Sequence, residues 1–312
     1  MTITAQMVKD LRELTGAGMM DSKKALQETD GNVEAAIEYL RKKGLAGAEK
    51  KAGRIAAEGI VMSVVSDDYK SGALVEVNSE TDFVAKNEKF RTYVGAVASQ
   101  ALKSTNDDME KFLAEPWILD ASKTVKDELS TQISTIGENM NIRRKIKIEN
   151  KNGLVYDYIH GGGRIGVLVS VDTNVVNDSV KEMAKCIAMQ IAAMNPKFVD
   201  QSEVDADFIK KEKEIILEEA KNDPKNAGKP DNILQGMVEG RFKKEMKEFC
   251  LYDQENVISA GENKETVGQY IDRVKKANNA EIKVVKFVRY ETGEGLEKKN
   301  EDFAAEVAKQ IG

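Results

Sequence analysis

At 312 residues, 41% hydrophobic and 32% charged, the chain has material for about two domains and a sizeable buried core. Its net charge of −6 argues against the broad basic surface of a non-specific nucleic-acid binder. Cys186 and Cys250 lie far apart in helical patterns, which rules out a disulfide framework or metal knuckle, and no stretch approaches ~18 uninterrupted apolar residues. Residues 1–6 lack a basic leader, so a cytoplasmic protein without signal, transit peptide or membrane anchor is expected.

Residues 1–54 carry +2 and the remainder −8, which sets the N-terminus apart. Residues 4–42 read as three short helices. Thr4 can cap the first, whose stripe is Met7, Val8, Leu11 and Leu14, and Thr15-Gly16-Ala17-Gly18 breaks it. Ala25 and Leu26 face inward on the second. The third carries Val33, Ala36, Ile37 and Leu40, with Gly44 placed to end it. Met19 and Met20, straight after the glycine turn, suit a core or an adaptable contact pair equally. A linker helix rich in Ala, Gly and Lys is expected over 45–58.

Ile60 to Val65 and Ala73 to Val77 read as strands. Asn78-Ser79-Glu80-Thr81-Asp82-Phe83-Val84-Ala85-Lys86-Asn87 then leads into a helix with Phe90, Val94, Val97, Ala98, Ala101 and Leu102 on one face. Such strand-to-helix turns often carry binding function. Ser79-x-x-Asp82 loosely fits a capping box. Phe83 lies seven residues before Phe90, so one continuous helix would bury it; the alternative is an outward apolar anchor for a partner.

Residues 104–128 read as irregular, with a packed turn at Pro116-Trp117, and a short helix is expected over 131–139. Arg143 to Glu149 alternates like an edge strand. Leu154 to Ile159 and Ile165 to Val171 are two more strands, and residues 177–194 form a helix with Val180, Met183, Ala184, Ile187, Ala188 and Ile191 on one face. An offset of 94 maps Gly72-Ala73-Leu74-Val75-Glu76-Val77-Asn78 onto Gly166-Val167-Leu168-Val169-Ser170-Val171-Asp172, a weak internal repeat. It pairs Phe83 with the polar Asn177, so the second copy manages without an apolar residue there. That brings the core and contact readings of Phe83 level.

Residues 202–248 read as two amphipathic helices joined by a short turn, a protruding antiparallel coiled coil. Val204, Phe208, Ile215 and Ile216 would face inward on one, and Ile233, Leu234, Met237, Val238, Phe242, Met246 and Phe249 on the other. A helix over 265–277 and a long strand from Glu281 to Tyr290 follow. After Gly293-Glu294-Gly295 comes a last amphipathic helix with Phe303, Ala304, Val307 and Ile311 on one side.

Motifs for chemistry fail on context. Gly161-Gly162-Gly163-Arg164-Ile165-Gly166 matches G-x-G-x-x-G but leads into a strand, where a dinucleotide site needs a helix. His160-Gly161-Gly162-Gly163 resembles an esterase oxyanion loop, yet G-x-S-x-G is absent and His160 is the only histidine. Cys186 with His160 as a thiol pair has no supporting pattern. There are no metal-ligand clusters, and Arg143-Arg144-Lys145 lacks aromatic interleaving. The composition of modules reads as a binder of another protein.

Longer motifs in one order are similar to the bacterial translation elongation factor Ts family. They are Leu14-Thr15-Gly16-Ala17-Gly18-Met19-Met20-Asp21, Thr81-Asp82-Phe83-Val84-Ala85-Lys86-Asn87, His160-Gly161-Gly162-Gly163-Arg164-Ile165-Gly166-Val167-Leu168-Val169, Met237-Val238-Glu239-Gly240-Arg241 and Gly293-Glu294-Gly295-Leu296-Glu297-Lys298. The resemblance runs nearly end to end. It implies an α+β fold: a three-helix ubiquitin-associated-like domain with linker over 1–54, and a two-subdomain antiparallel sheet-and-helix core over 55–140 and over 141–198 with 249–291. A helical hairpin (coiled coil) over 199–248 and a C-terminal module over 292–312 complete it.

The resemblance also implies a guanine-nucleotide exchange factor, not an enzyme. Its partner would be elongation factor Tu, GDP-bound and nucleotide-free. The chain itself would bind no nucleotide, metal or other cofactor, no nucleic acid and no membrane, and a homodimer through the hairpin is compatible with the family. Thr81, Asp82, Phe83 and Val84 would press on the partner's nucleotide domain, the phenylalanine wedging between two helices and disturbing the magnesium and phosphate site. Met19, Met20 and His160 resemble positions at the same interface. The second core subdomain would grip a distant domain of the partner, and the C-terminal helix would add contacts. Gln190 stands where the family commonly has histidine, which puts the detail of any contact there in question. The alternatives are a His160-dependent hydrolase and a polypeptide-binding adaptor built on the N-terminal helices.

Overall fold

The computed structural model describes residues 2–258 and 264–297. Three helices come first: α1 (Ala5–Thr15), α2 (Met19–Glu28) and α3 (Val33–Lys51). The Thr4 hydroxyl accepts from the Met7 amide, and Gly16, left-handed at φ 69°, ends α1 by donating to the Arg12 carbonyl. Val8, Leu11, Ala25, Leu26 and Ala36 form a small core, while Leu14 and Val33 of the expected stripes are exposed. Gly44 does not end the third helix. It is buried, facing the Ser130 carbonyl of a later helix, so its missing side chain serves helix–helix approach.

Next come β1 (Glu58–Val65), β2 (Ser71–Ser79), α4 (Asp82–Lys86), α5 (Glu88–Lys103), α6 (Met109–Leu113), β3 (Pro116–Trp117), β4 (Asp120–Thr124), α7 (Val125–Ile136) and β5 (Met140–Glu149). The stretch expected to be irregular thus holds a short helix and a two-stranded hairpin. α7 begins at Val125, not Thr131, because Thr124 and Asp127 form a reciprocal capping box. Asp127 also takes both Nε and Nη2 of Arg41, at 3.2 and 2.8 Å, which ties α3 to α7. Burial works against ionising Asp127, but the Thr124 and Arg41 hydrogen bonds prevail and hold its carboxyl below the usual range.

The second half has β6 (Gly153–His160), β7 (Ile165–Thr173), α8 (Asp178–Met194), α9 (Ala206–Asn222), α10 (Asp231–Phe249), α11 (Val267–Asn278) and β8 (Ile282–Glu291). The architecture among the described residues is α+β, with antiparallel sheets ordered β1-β2-β5 and β6-β7-β8 beside the small β3-β4 hairpin. Ala73, Val75 and Val77 of β2 face a helix layer that includes α5 and α7; Val167, Val169 and Val171 of β7 face α8 and α11. Residues of opposite parity, Val61, Leu74, Val155 and Leu168, meet between the sheets. The central strands are therefore buried on both faces, which explains their near-continuous apolar character.

The offset of 94 found in the sequence recurs in space. β2 and β7 each carry a register shift at matching places, Glu76/Val77 and Ser170/Val171. A Cβ on Gly72 would lie 2.8 Å from Val155 Cγ1, and one on Gly166 would lie 2.4 Å from Val61 Cγ1. Each glycine thus receives the valine of the opposite sheet, and the pairing is reciprocal.

α9 and α10 pack on each other. Only one seam is covered in a two-helix hairpin, so Ile216, Leu234, Val238 and Met246 are buried while Ile215, Ile233 and Met237, expected inward, are exposed. Its base is fixed by Phe208 edge-on to Phe198 and Phe249, with ring centroids 5.1 and 6.1 Å apart. The helix expected beyond Gly295 lies outside the described residues.

Candidate functional site

The turn after β2 does not continue as one helix. Asn87 is extended (φ −70°, ψ 131°), and its side chain caps α5 by accepting from the Lys89 and Phe90 amides. This break resets the helical phase. Phe90 is fully buried, whereas Phe83, the second residue of α4, is 82% exposed. The seven-residue spacing that would have buried Phe83 therefore fails. Burying Ala85 and part of Val84 seats α4 on the core and aims its other face outward. The cap of α4 is Thr81, not Ser79: the Thr81 hydroxyl accepts from the Val84 amide, and the Ser79 hydroxyl donates to the Thr81 carbonyl.

Sequence reasoning missed what holds this turn. Glu138, just past α7, accepts from the Glu80 and Thr81 amides at 3.1 and 3.0 Å and from the Thr81 hydroxyl at 2.7 Å. Glu80 returns the contact, accepting from the Asn139 amide at 2.6 Å and from Arg54 at 3.3 Å. Charge-assisted bonds thus fix the entry to α4, so little freedom remains to be lost when Phe83 meets another surface. Asp82 is exposed beside Lys86, at 2.6 Å; that hydrogen bond holds its carboxyl below the usual range.

The glycine run makes the tight turn between β6 and β7. Gly161, Gly162 and Gly163 all have left-handed φ values of 58°, 68° and 111°. The turn reaches across to the first sheet: the Val61 amide donates to the Gly163 carbonyl at 2.7 Å, and Arg91 of α5 donates to the Gly162 carbonyl at 2.7 Å. Asp82, Lys86, Arg91, Gly161 and Gly162 line one cleft, so the strand-to-helix turn and the His160 hairpin lie together at one end of the core.

His160 is exposed, and its Nδ1 lies 3.0 Å from the Tyr158 hydroxyl. Cys186 faces Glu182 and Tyr270 instead, and burial pushes its thiol up, so no Cys–His pair is assembled. Among the described residues, no three His, Cys, Asp or Glu side chains gather as a metal site, and no helix is long and apolar enough to cross a membrane.

Met19 and Met20, opening α2, are 52% and 73% exposed, which favours contact over core. They do not line the cleft beside α4. The Thr15-Gly16 turn ahead of them shares a second cleft with Glu88 and Lys89 of the first turn of α5. Gln190 is buried: its amide nitrogen donates to Gln254 Oε1 and the Glu255 carbonyl, and its oxygen accepts from the Val257 amide. It pins the 254–257 segment onto α8 from the inside.

Comparison with known proteins finds relatives along nearly the whole chain. The family model described as Elongation factor TS matches residues 80–294. The Elongation factor Ts of Clostridium botulinum (strain Alaska E43 / Type E3) is 50% identical over 310 residues, covering 99% of both chains. That of Clostridioides difficile (strain 630) is 50% identical over 309 residues, and that of Clostridium tetani (strain Massachusetts / E88) 48% over 309, each again covering 99% of both chains.

Proposed function

The chain belongs to the elongation factor Ts family, and from that premise we propose that it binds elongation factor Tu·GDP and speeds GDP release, allowing GTP to rebind. The observation that carries this reading is Phe83, a large aromatic side chain 82% exposed on a turn that Glu138 and Glu80 hold firmly. Exposed aromatics on rigid supports are the residues that dominate interfaces. Thr81, Asp82, Phe83 and Val84 press on the nucleotide domain and disturb its magnesium and phosphate site. Met19, Met20 and His160 extend the contact. The chain catalyses no reaction and itself binds no nucleotide, metal, nucleic acid or membrane.

The same reading divides the chain into a ubiquitin-associated-like domain with linker (1–54), core subdomains (55–140; 141–198 with 249–291), a helical-hairpin module (199–248) that can pair two copies, and a C-terminal module (292–312). It places the protein in the cytoplasm. The coupling is reciprocal: a factor that weakens GDP must itself be weakened by GDP to the same extent. A 10⁴-fold effect needs about 5.5 kcal/mol of differential binding. An aromatic wedge acting near a magnesium ion, the largest local charge, is a reasonable source.

Release of fluorescent GDP from elongation factor Tu, with and without the chain, tests this. Wild type should accelerate release strongly, and Phe83→Ala should lose about 30-fold of that acceleration, the ~2 kcal/mol of a hot-spot residue, with an unchanged melting temperature. Equal acceleration by the two proteins would remove the wedge.

A further inference from the structure

Tyr158 and His160 stand two residues apart on β6, so both side chains project from the same side of the strand. Tyr158 is half-buried and packs against the core that α8 and α11 cover. Its hydroxyl reaches His160 Nδ1 at 3.0 Å, with the two rings 6.0 Å apart between centroids. His160 is exposed, and its imidazole makes no other hydrogen bond among the described residues. One edge of the imidazole is therefore tied to a core-anchored phenol, and the other is free.

A phenol donates well and accepts poorly, while the bare nitrogen of a neutral imidazole is a good acceptor. The pair is most stable when the Tyr158 hydroxyl donates to Nδ1, which leaves the ring proton on Nε2. We propose that Tyr158 is a positioning residue that holds His160 as the Nε2–H tautomer, so that the ring offers an outward N–H to an acceptor oxygen of the partner. The partner half of this inference rests on the exchange-factor reading; the tautomer half does not. Without the phenol the ring could turn over or move its proton, and an acceptor would meet the N–H only part of the time.

His160 is the only histidine in the chain, so its imidazole nitrogens give a single set of long-range ¹H–¹⁵N signals. At about pH 8.5, wild type should show the Nε2–H pattern alone. Tyr158→Phe, which keeps the ring packing, should show a tautomer mixture at an unchanged melting temperature. An Nδ1–H pattern in wild type, or signals unmoved by Tyr158→Phe, would overturn the proposal.

In the GDP-release assay Tyr158→Phe should lower stimulation about fivefold, the weight of one hydrogen bond. The double variant with His160→Ala should be no worse than His160→Ala alone. A tautomer change with undiminished stimulation would overturn the partner contact, and it would leave the exchange reading standing as long as Phe83→Ala still fails.

Discussion

The two sheet-and-helix halves share strand registers and a bulge position but part company where strand passes to helix. After β7, Asn177 caps α8 directly, accepting from the Val180 amide at 3.0 Å, and the helix runs unbroken to Met194. After β2, residues 80–87 are spent on a one-turn helix, an extended Asn87 and a second cap, where 174–177 suffice after β7. The second arrangement leaves Phe83 outside. One scaffold thus supports a plain connection in one half and an exposed aromatic platform in the other. The difference lies in cap placement, not in the sheets.

The halves differ most in energy at one matched pair, Glu76 and Ser170. Glu76 is fully buried and accepts from Arg143 (3.0 Å), Arg144 (2.6 Å), Asn78 (3.0 Å) and the Gly293 amide (2.8 Å). Ser170 accepts one bond, from Asn150 at 2.9 Å. Glu76→Ala takes the buried carboxylate from Arg143 and Arg144 and should cost about 3 kcal/mol in urea unfolding, the low end for a broken buried pair because both arginines keep some solvent and their bonds to Glu294. Ser170→Ala should cost about 1 kcal/mol. Equal losses would show that the halves are held alike.

Acidity sharpens the contrast. Burial opposes ionisation of Glu76, but the Gly293 amide, Asn78 and the arginines outweigh it and lower its pKa. A carboxyl with a depressed folded-state pKa adds stability above its ordinary value of about 4.3 and loses it as pH falls through the folded-state value. Wild type should therefore lose more stability than Glu76→Gln on acidification through that range. Parallel pH profiles for the two proteins would contradict the role given to Glu76.

The packing between the halves is instead symmetrical, and the next effect should be too. Gly72→Ala and Gly166→Ala each push a methyl into a valine of the facing sheet, at 2.8 and 2.4 Å. Each should cost about 1–3 kcal/mol by overpacking, with Gly166→Ala the larger. A neutral result at either position, read by thermal unfolding, would mean that the sheets are not in close contact there.

How much could be read from residues alone follows from the same contrast. Short apolar runs at Ala73 to Val77 and Val167 to Val171 exposed both central strands, because a strand run can be read without knowledge of its partners. The helix break at Asn87 escaped because Phe83 and Phe90 happen to be spaced as one buried face. Gly44 looked like a stop because its burial against α7 is a tertiary fact. Glu138 carried no local signal at all: it acts on Thr81, 57 residues away. The site was legible as a motif, and its support was not.

That support predicts a smaller effect confined to the first half. Glu138→Ala strips the acceptor from the Glu80 and Thr81 amides, which water can partly replace. Stability should fall by about 1 kcal/mol. GDP-release stimulation should fall about tenfold, because an untethered Phe83 must be ordered on binding. Full stimulation would mean that the turn is rigid without the carboxylate.

The smallest expected effect tests whether an aromatic alone suffices. Asn177→Phe puts a phenylalanine at the position that matches Phe83 in the second half. It removes the cap of α8 and the 2.9 Å bond to Asn278, so stability should drop by about 1 kcal/mol. In Phe83→Ala protein it should restore none of the lost GDP release. Lys181, which matches Asn87, lies inside the unbroken α8, and among the described residues no carboxylate bonds the amides on entry to α8 as Glu138 does for α4. A phenylalanine there would meet a partner without a fixed direction and would pay the full ordering entropy on contact. Partial rescue would show that exposure of an aromatic, not the rigid turn beneath it, is what the first half contributes.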